Sequence, residues 1–295
     1  MYRIIQKRNI WLTISGLLVA VSVVFLILWG LNFGIDFTGG SLLEVRFTEA
    51  RPEVGQVQDS LADMNLGSLL VQPVGENEMI LRFQDTSEQK HEEVLEKLSG
   101  VNALEELRYD SVGPSIGQEL KRKSLYAIAV VLIAIVAYVA WAFRKVFKPV
   151  ASWKYGLAAI IALFHDVMIV LGVFAFLGNF YNIEINSAFV AAILTVLGYS
   201  VNDTIVVFDR LRENLPKSDE DFEGTVNTSV NQTITRSINT SLTTLLVLLA
   251  ILFFGGDTIR DFVLALSIGV FVGTYSSIFL ASPVLVVWEK LRSGE

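Results

Sequence analysis

The 295-residue sequence contains no cysteine. That excludes a disulfide, a thiol nucleophile and a thiolate metal site. Histidine is almost as scarce: His91 and His165 are the whole supply, too few for a histidine-rich metal centre. Charge is also thin, at 18% of residues against about 25% in a soluble globular chain. The depletion is uneven. Residues 31–123 hold 26 of the 53 Asp, Glu, Lys and Arg residues, and the other 202 positions hold 27. Net charge divides the same way, −8 for residues 31–123 and +1 for the remainder, so no basic patch recommends nucleic acid as a partner. A single soluble globule does not have this distribution. A membrane protein with one water-facing domain does.

What is present is length without charge. A membrane-spanning helix needs roughly 20 mostly apolar residues. No charge falls between Arg8 and Asp36, Lys123 and Arg144, Arg236 and Asp257, or Asp261 and Glu289. Two further apolar stretches carry isolated charges: Tyr155–Leu177 with His165 and Asp166, and Ile185–Phe208 with Asp203. Six spans follow. The first is too long for a signal core and lacks a small-residue cleavage site, so it reads as an uncleaved anchor. Positive residues then set the orientation. Arg3, Lys7 and Arg8 precede span 1; Arg144, Lys145, Lys148 and Lys154 lie between spans 2 and 3. Arg210, Arg212 and Lys217 follow span 4, and Lys290 and Arg292 follow span 6, whereas the opposite short loops hold only Arg260. Both termini are expected in the cytoplasm, with membrane lipid around the spans. The expected division is 1–31 for the N-terminus and span 1, 32–123 for an extracytoplasmic domain, 124–288 for a five-helix bundle and 289–295 for a cytoplasmic tail.

Within the outer domain, Ser41–Phe47 has a strand pattern, and Val54–Met64 places Val54, Val57, Leu61 and Met64 at helical spacing. Leu69–Val74 and Met79–Phe83 read as a hairpin around Gly75-Glu76-Asn77. Thr86 or Ser87 can cap a helix through Leu98 that buries Val94, Leu95 and Leu98 and stops at Gly100, before a last strand at Leu104–Tyr109. This order predicts an α+β ferredoxin-like domain between helices 1 and 2 of a six-helix membrane protein. His91, beside Glu92 and Glu93, is expected to be a solvated surface residue. Gly39-Gly40 after Asp36 allows a sharp turn where the chain leaves the membrane, and so suggests a hinge.

A charge near the bilayer centre costs several kcal/mol, about 2.5–3.5 on insertion scales, and survives in a protein-lined interior. Three places qualify. Span 4 carries Asp203 inside its apolar stretch, span 3 carries His165-Asp166 near its middle, and span 5 opens with Arg236. Burial disfavours an ionised carboxylate and a nearby guanidinium favours it, so a carboxylate whose cationic partner approaches and withdraws is a proton switch. Asp203, Arg236, His165 and Asp166 are the candidates for a proton relay. Asp209 reads as an interfacial ion-pair member. Thr233, Ser237, Thr240, Ser241 and Thr244 form a stripe on span 5, and Ser237, Thr240 and Thr244 are expected to glue helices together. Span 6 repeats small residues every four positions at Ala265, Gly269, Gly273, Ser277 and Ala281, a close-packing stripe, with Pro283 expected to kink its end.

The strings Phe33-Gly34-Ile35-Asp36-Phe37-Thr38-Gly39-Gly40, Ala162-Leu163-Phe164-His165-Asp166 and Gly198-Tyr199-Ser200-Val201-Asn202-Asp203-Thr204 belong together, as do Arg212-Glu213-Asn214, Asn231-Gln232-Thr233 and Gly273-Thr274-Tyr275-Ser276-Ser277. On these residues the chain resembles the SecD/SecF family of bacterial protein-export membrane proteins, a branch of the resistance-nodulation-division superfamily. The resemblance implies an inner-membrane accessory of the Sec translocon that uses the proton motive force to draw preproteins outward after the SecYEG channel and SecA have begun their transit. It implies that Asp203 and Arg236 belong to a proton pathway and face a carboxylate supplied by SecD. This chain carries no SecD half, so the pathway is expected to be shared with that partner. No cofactor is implied. A drug exporter of the same superfamily would have twelve spans and two large outer domains. A structural assembly subunit without ion coupling is the alternative, and an enzyme is disfavoured because no nucleophile–base pair, phosphate loop or metal cluster appears.

The orientation is testable by labelling. Single cysteines at Ser152 and Ser218 are expected to resist an impermeant reagent added outside the cell, and one at Asn77 to react; the opposite pattern would invert the topology.

Overall fold

Helix forms along every long uncharged run, because in lipid each backbone amide must find its partner within its own segment. The computed structural model describes residues 2–84, 86–144 and 151–293. Lys145 and Lys148, counted above among the loop cations, lie outside the described residues, as does the side chain of Arg292. The chain divides into two compact units, Phe33–Leu125 and the remainder, Met1–Asn32 with Tyr126–Glu295. After α1 (Arg8–Trp29), the elements are α2 (Ile35–Thr38), β1 (Gly40–Phe47), α3 (Val54–Leu61), β2 (Leu70–Val74), β3 (Glu78–Phe83), α4 (Glu88–Val101) and β4 (Leu104–Val112). Then come α5 (Pro114–Ala142), α6 (Ser152–Tyr181), α7 (Ser187–Asn214), α8 (Phe222–Phe254) and α9 (Asp257–Ser276). A π-helical turn (Ser277–Ala281) joins α9 to α10 (Ser282–Ser293). Among the described residues, six helical segments are long and apolar enough to cross a membrane.

In the unit Phe33–Leu125 the four strands pair antiparallel in the order β2-β3-β1-β4. The period-two pattern decides which face is covered. Leu43, Val45 and Phe47 of β1 and Met79, Leu81 and Phe83 of β3 are buried against Val57 and Leu61 of α3 and Val94 and Leu98 of α4. Register agrees: Leu43 faces Leu81 and Val45 faces Met79, while Arg46 sits opposite Glu78 and pairs with it at 2.7 Å. Lys97 of α4 reaches Asp63, and that hydrogen bond holds the carboxyl below its usual range. The helix of α4 continues through Gly100 to Val101, one residue past the expected stop. Backbone hydrogen bonding carries the last turn, with the Asn102 amide on the Leu98 carbonyl.

His91 is not the solvated residue expected from its acidic neighbours. Its ring is buried and stacked on Tyr109 at 3.7 Å, with Nδ1 3.2 Å from Glu88 and Nε2 3.2 Å from Glu106. The helix turns His91 toward β4, where an aromatic face covers it, while Glu92 and Glu93 point elsewhere.

Gly39 and Gly40 have φ of +76° and +121°, conformations that L side chains rarely adopt. Space is closed as well. A Cβ on Gly39 would stand 2.7 Å from the Pro114 Cα, and one on Gly40 would stand 2.7 Å from the Phe83 carbonyl. Both obstacles are backbone. Asp36 lies in the single turn of α2 immediately before them.

In the other unit, α9 packs against α6, α7 and α8, and α1 packs against α6. Close approach is bought with small residues: a Cβ on Gly269 would overlap the Val196 side chain, and one on Gly172 would overlap Ser22. The N-terminal segment is tied to α8 by asparagines. Asn227 Oδ1 accepts from the amides of Ile4 and Ile5 at 3.0 and 3.2 Å, and Asn231 both accepts from the Tyr2 amide and donates to its carbonyl. Glu223 of α8 joins Arg8 at 2.9 Å and Lys290 at 2.6 Å.

Substituting Gly39→Val therefore demands both a strained φ and displacement of the Pro114 backbone. The detergent-purified variant is expected to lose its monodisperse fraction at a lower temperature than the parent; an unchanged midpoint on heating would show that the turn tolerates a side chain.

Candidate functional site

Two carboxylates lie buried among the packed helices. Asp203, on α7, is 7% exposed, and Asp166, on α6, is fully buried. Each is held by hydroxyl groups from neighbouring helices. Ser237 of α8 donates to Asp203 Oδ1 at 2.6 Å, and Ser277 of the π turn donates to Oδ2 at 2.8 Å. Ser200 of α7 and Ser276 of α9 donate to Asp166 Oδ2 at 2.5 and 2.8 Å, and His165 Nδ1 lies 2.9 Å from Oδ1. The sequence places Ser200 and Asp203 three residues apart on α7, which sends them to neighbouring but distinct partners.

The glycine stripe makes this geometry reachable. Gly273 sits where a Cβ would press on the Ser200 side chain at 2.9 Å, so α9 approaches α7 closely enough for Ser276 and Ser277 to span the gap. Further along the same contact, Thr274 donates to Ser241 at 2.5 Å and Tyr199 donates to Ser241 at 3.2 Å. Two roles read from the sequence change accordingly. Ser237 is more than helix glue, since its hydroxyl binds the Asp203 carboxylate. Ser277 is more than a small packing residue, for the same reason. Ser200 and Ser276 received no role of their own because a serine within three residues of a glycine in an apolar run has the signature of packing. Their signal in the sequence was membership of the same motif strings as Asp203 and Ser277.

Arg236 is not brought to Asp203. It is exposed on α8, one residue before Ser237, and among the described residues its side chain makes no ion pair or hydrogen bond. His165 is buried with Nε2 unpartnered among the described residues, and its ring stacks near Tyr275 at 6.0 Å. Asp209 pairs with Arg212 at 2.7 Å. Arg210 bonds Glu213 and Gln232, and Asn214 bonds Ser229 and Gln232, so the polar residues at the end of α7 form a network with α8. Pro283 stands just after the π turn, in the first turn of α10. Among the described residues no group of three or more His, Asp or Glu is placed to hold a metal ion.

The C-terminal region of protein export membrane proteins SecD/SecF matches residues 91–291, and the SecD/SecF GG motif matches residues 30–50. The chain belongs to the SecD/SecF family. A protein translocase subunit SecF from Thermobaculum terrenum is 44% identical, over 98% of this chain and 95% of that protein. One from Anaerolinea thermophila is 38% identical, over 100% of this chain and 96% of its own length. The crystal structure of SecDF from Thermus thermophilus, described as a translocon-associated membrane protein, superposes with a TM-score of 0.87 at 35% identity. The match covers 98% of this chain but 39% of that longer one. The chain is thus a multi-pass membrane protein of the protein-translocase kind, and the glycine pair with positive φ falls within the matched GG motif.

The packing claim has its own test. Gly273→Ala must push Ser200 away from Asp166 and is expected to cost about 1–3 kcal/mol as an overpacked contact. Gly198→Ala, where nothing lies within 4 Å of the added carbon, serves as the comparison. Heating the detergent-purified protein and following its monodisperse fraction should show a lower midpoint for the first variant only. Equal midpoints would mean that α7 and α9 are not pressed together at this point.

Proposed function

We propose that this chain acts as the SecF subunit of a SecD/SecF complex in the bacterial inner membrane, coupling inward proton flow to late stages of preprotein export. The observation that carries the reading is Asp203: a carboxylate buried in a membrane span, met by hydroxyls and by no cation among the described residues. Structural carboxylates in such places are ordinarily neutralised by a fixed positive charge. Arg236 stands one residue along α8 from Ser237 but on an exposed face, a position from which a partner subunit could engage it or release it toward Asp203. SecD would supply the opposing carboxylate. His165 and Asp166 form the second, deeper part of the relay.

In this reading the unit Phe33–Leu125, with its β-α-β-β-α-β order and β2-β3-β1-β4 sheet, is an extracytoplasmic ferredoxin-like domain. Both chain termini are cytoplasmic, and Asp36 with Gly39-Gly40 forms its hinge. SecYEG and SecA begin transit, the preprotein emerges, and the complex draws it outward; the work is mechanical, not enzymatic. The energy suffices. A proton crossing the membrane potential releases about 2.3 kcal/mol per 100 mV, and converting a 1:99 equilibrium to 99:1 takes about 5.5 kcal/mol. A few protons per stroke meet that need.

Asp203→Asn keeps the side-chain shape and removes the titration. It is expected to assemble with SecD and to abolish the stimulation of preprotein transport by an imposed proton gradient, leaving ATP-driven transport by SecA intact. Arg236→Met should behave alike, and the double variant should be little worse than either single one if both act on one step. The measurement is preprotein translocation into proteoliposomes holding the channel and both subunits, with and without the gradient. Undiminished stimulation in Asp203→Asn would leave the structural-subunit reading in its place.

A further inference from the structure

Outside the residues assigned to the relay, one arrangement stands out. Ser276 and Ser277 are consecutive and both fully buried, and each places its hydroxyl on a different carboxylate: Ser276 on Asp166 at 2.8 Å, Ser277 on Asp203 at 2.8 Å. We propose that these two serines are positioning residues that couple the protonation of Asp166 to that of Asp203 through the junction between α9 and the π turn. The proposal rests on the reading of Asp203 as a proton switch and adds to it a connection between the two buried acids.

A serine has one O–H to donate. Each of these serines has two acceptors in reach. Ser277 Oγ lies 2.8 Å from Asp203 Oδ2 and 3.0 Å from the Thr274 carbonyl; Ser276 Oγ lies 2.8 Å from Asp166 Oδ2 and 3.1 Å from the Gly273 carbonyl. While a carboxylate is ionised, the serine proton belongs on it, because a hydrogen bond to a charged acceptor is the stronger one. Once the carboxylate takes up a proton, its own O–H donates to the serine oxygen, and the serine proton turns to the helix carbonyl. The incoming proton stays on the carboxyl group throughout, and only hydrogen bonds change partner.

The two carbonyls belong to adjacent peptide units in the last turn of α9. A change in one therefore alters the backbone that the other serine uses. The π turn begins at Ser277, and such wide turns are places where a helix absorbs an extra residue and can shift. The remaining partners hold the carboxylates from outside this junction: Ser237 of α8 on Asp203, and Ser200 of α7 with His165 of α6 on Asp166. The titratable neighbours are few. His165 faces Asp166 and has Tyr275 stacked near it, whereas Asp203 is bonded among the described residues by hydroxyls alone. Two short covalent routes therefore join the acids, the peptide bond from Ser276 to Ser277 and the single turn of α7 from Ser200 to Asp203, and only the first carries a hydroxyl to each carboxylate.

Infrared difference spectroscopy of the lipid-reconstituted complex with SecD tests this without relying on export. The Asp166 carboxyl or carboxylate stretch is identified by its loss in Asp166→Asn. Asp203→Asn is expected to shift that band. Ser276→Ala and Ser277→Ala should each abolish the cross-shift, and Ser277→Thr, which keeps the hydroxyl, should preserve it. If an alanine variant does not assemble, Ser276→Cys, with similar volume and a weaker donor, should reduce the cross-shift. An Asp166 band indifferent to Asp203→Asn, or a cross-shift that survives removal of either hydroxyl, overturns the proposal. Transport assays on the same samples stand apart: lost gradient stimulation with no cross-shift refutes the coupling alone, and retained stimulation with a cross-shift refutes the proton-drive reading alone.

Discussion

Keeping a carboxylate inside a packed bundle of apolar helices requires donors to replace the water it has lost, because the residual penalty for an unmatched buried ion is several kcal/mol. Two carboxylates, Asp166 and Asp203, impose that demand on the helical unit. The response comes from four serines on three helical segments and the π turn, with one histidine nitrogen. Serine is short, so its oxygen reaches a neighbouring helix only where the two backbones nearly touch. That requirement explains Gly269 and Gly273 opposite Val196 and Ser200. Polar satisfaction and close packing are here one constraint met by the same stretch of α9.

The charged network at the ends of α7 and α8 answers to a different rule. Arg210, Arg212, Asp209 and Glu213 are half-exposed and pair within one turn of helix, an arrangement worth little in stability. Two asparagines of α8 outside that network serve the backbone instead. Asn227 and Asn231 satisfy backbone groups of the N-terminal segment that precedes α1, and Glu223 gathers cations from both chain ends. In the unit Phe33–Leu125, stability rests on an alternating apolar face beneath two helices, and the positive-φ glycines are needed where Pro114 and Phe83 leave no room for a side chain.

Much of this architecture was legible from residue order. The six membrane-length helices follow from four charge-free runs and two apolar runs with isolated charges, and the β-α-β-β-α-β order follows from period-two and period-four patterns bounded by turn residues. Asp203, Asp166 and His165 could be singled out because ionisable groups are conspicuous in oil. Less could be read for residues whose role depends on a neighbour. His91 looked solvated because the charges next to it in sequence are solvated, and only packing against Tyr109 buries it.

Sequence by itself therefore determined where helices run, which residues are too polar for their surroundings, and where glycine must stand. Tertiary structure alone decided which hydroxyl meets which carboxylate. Ser237 and Ser277 are 34 and 74 residues from Asp203, and Ser276 is 110 from Asp166. No periodicity within one helix encodes partners at such separations. They are selected when helices close to backbone contact, and a shift of one residue along α9 that carried Ser277 to the place of Ser276 would take its hydroxyl away from Asp203.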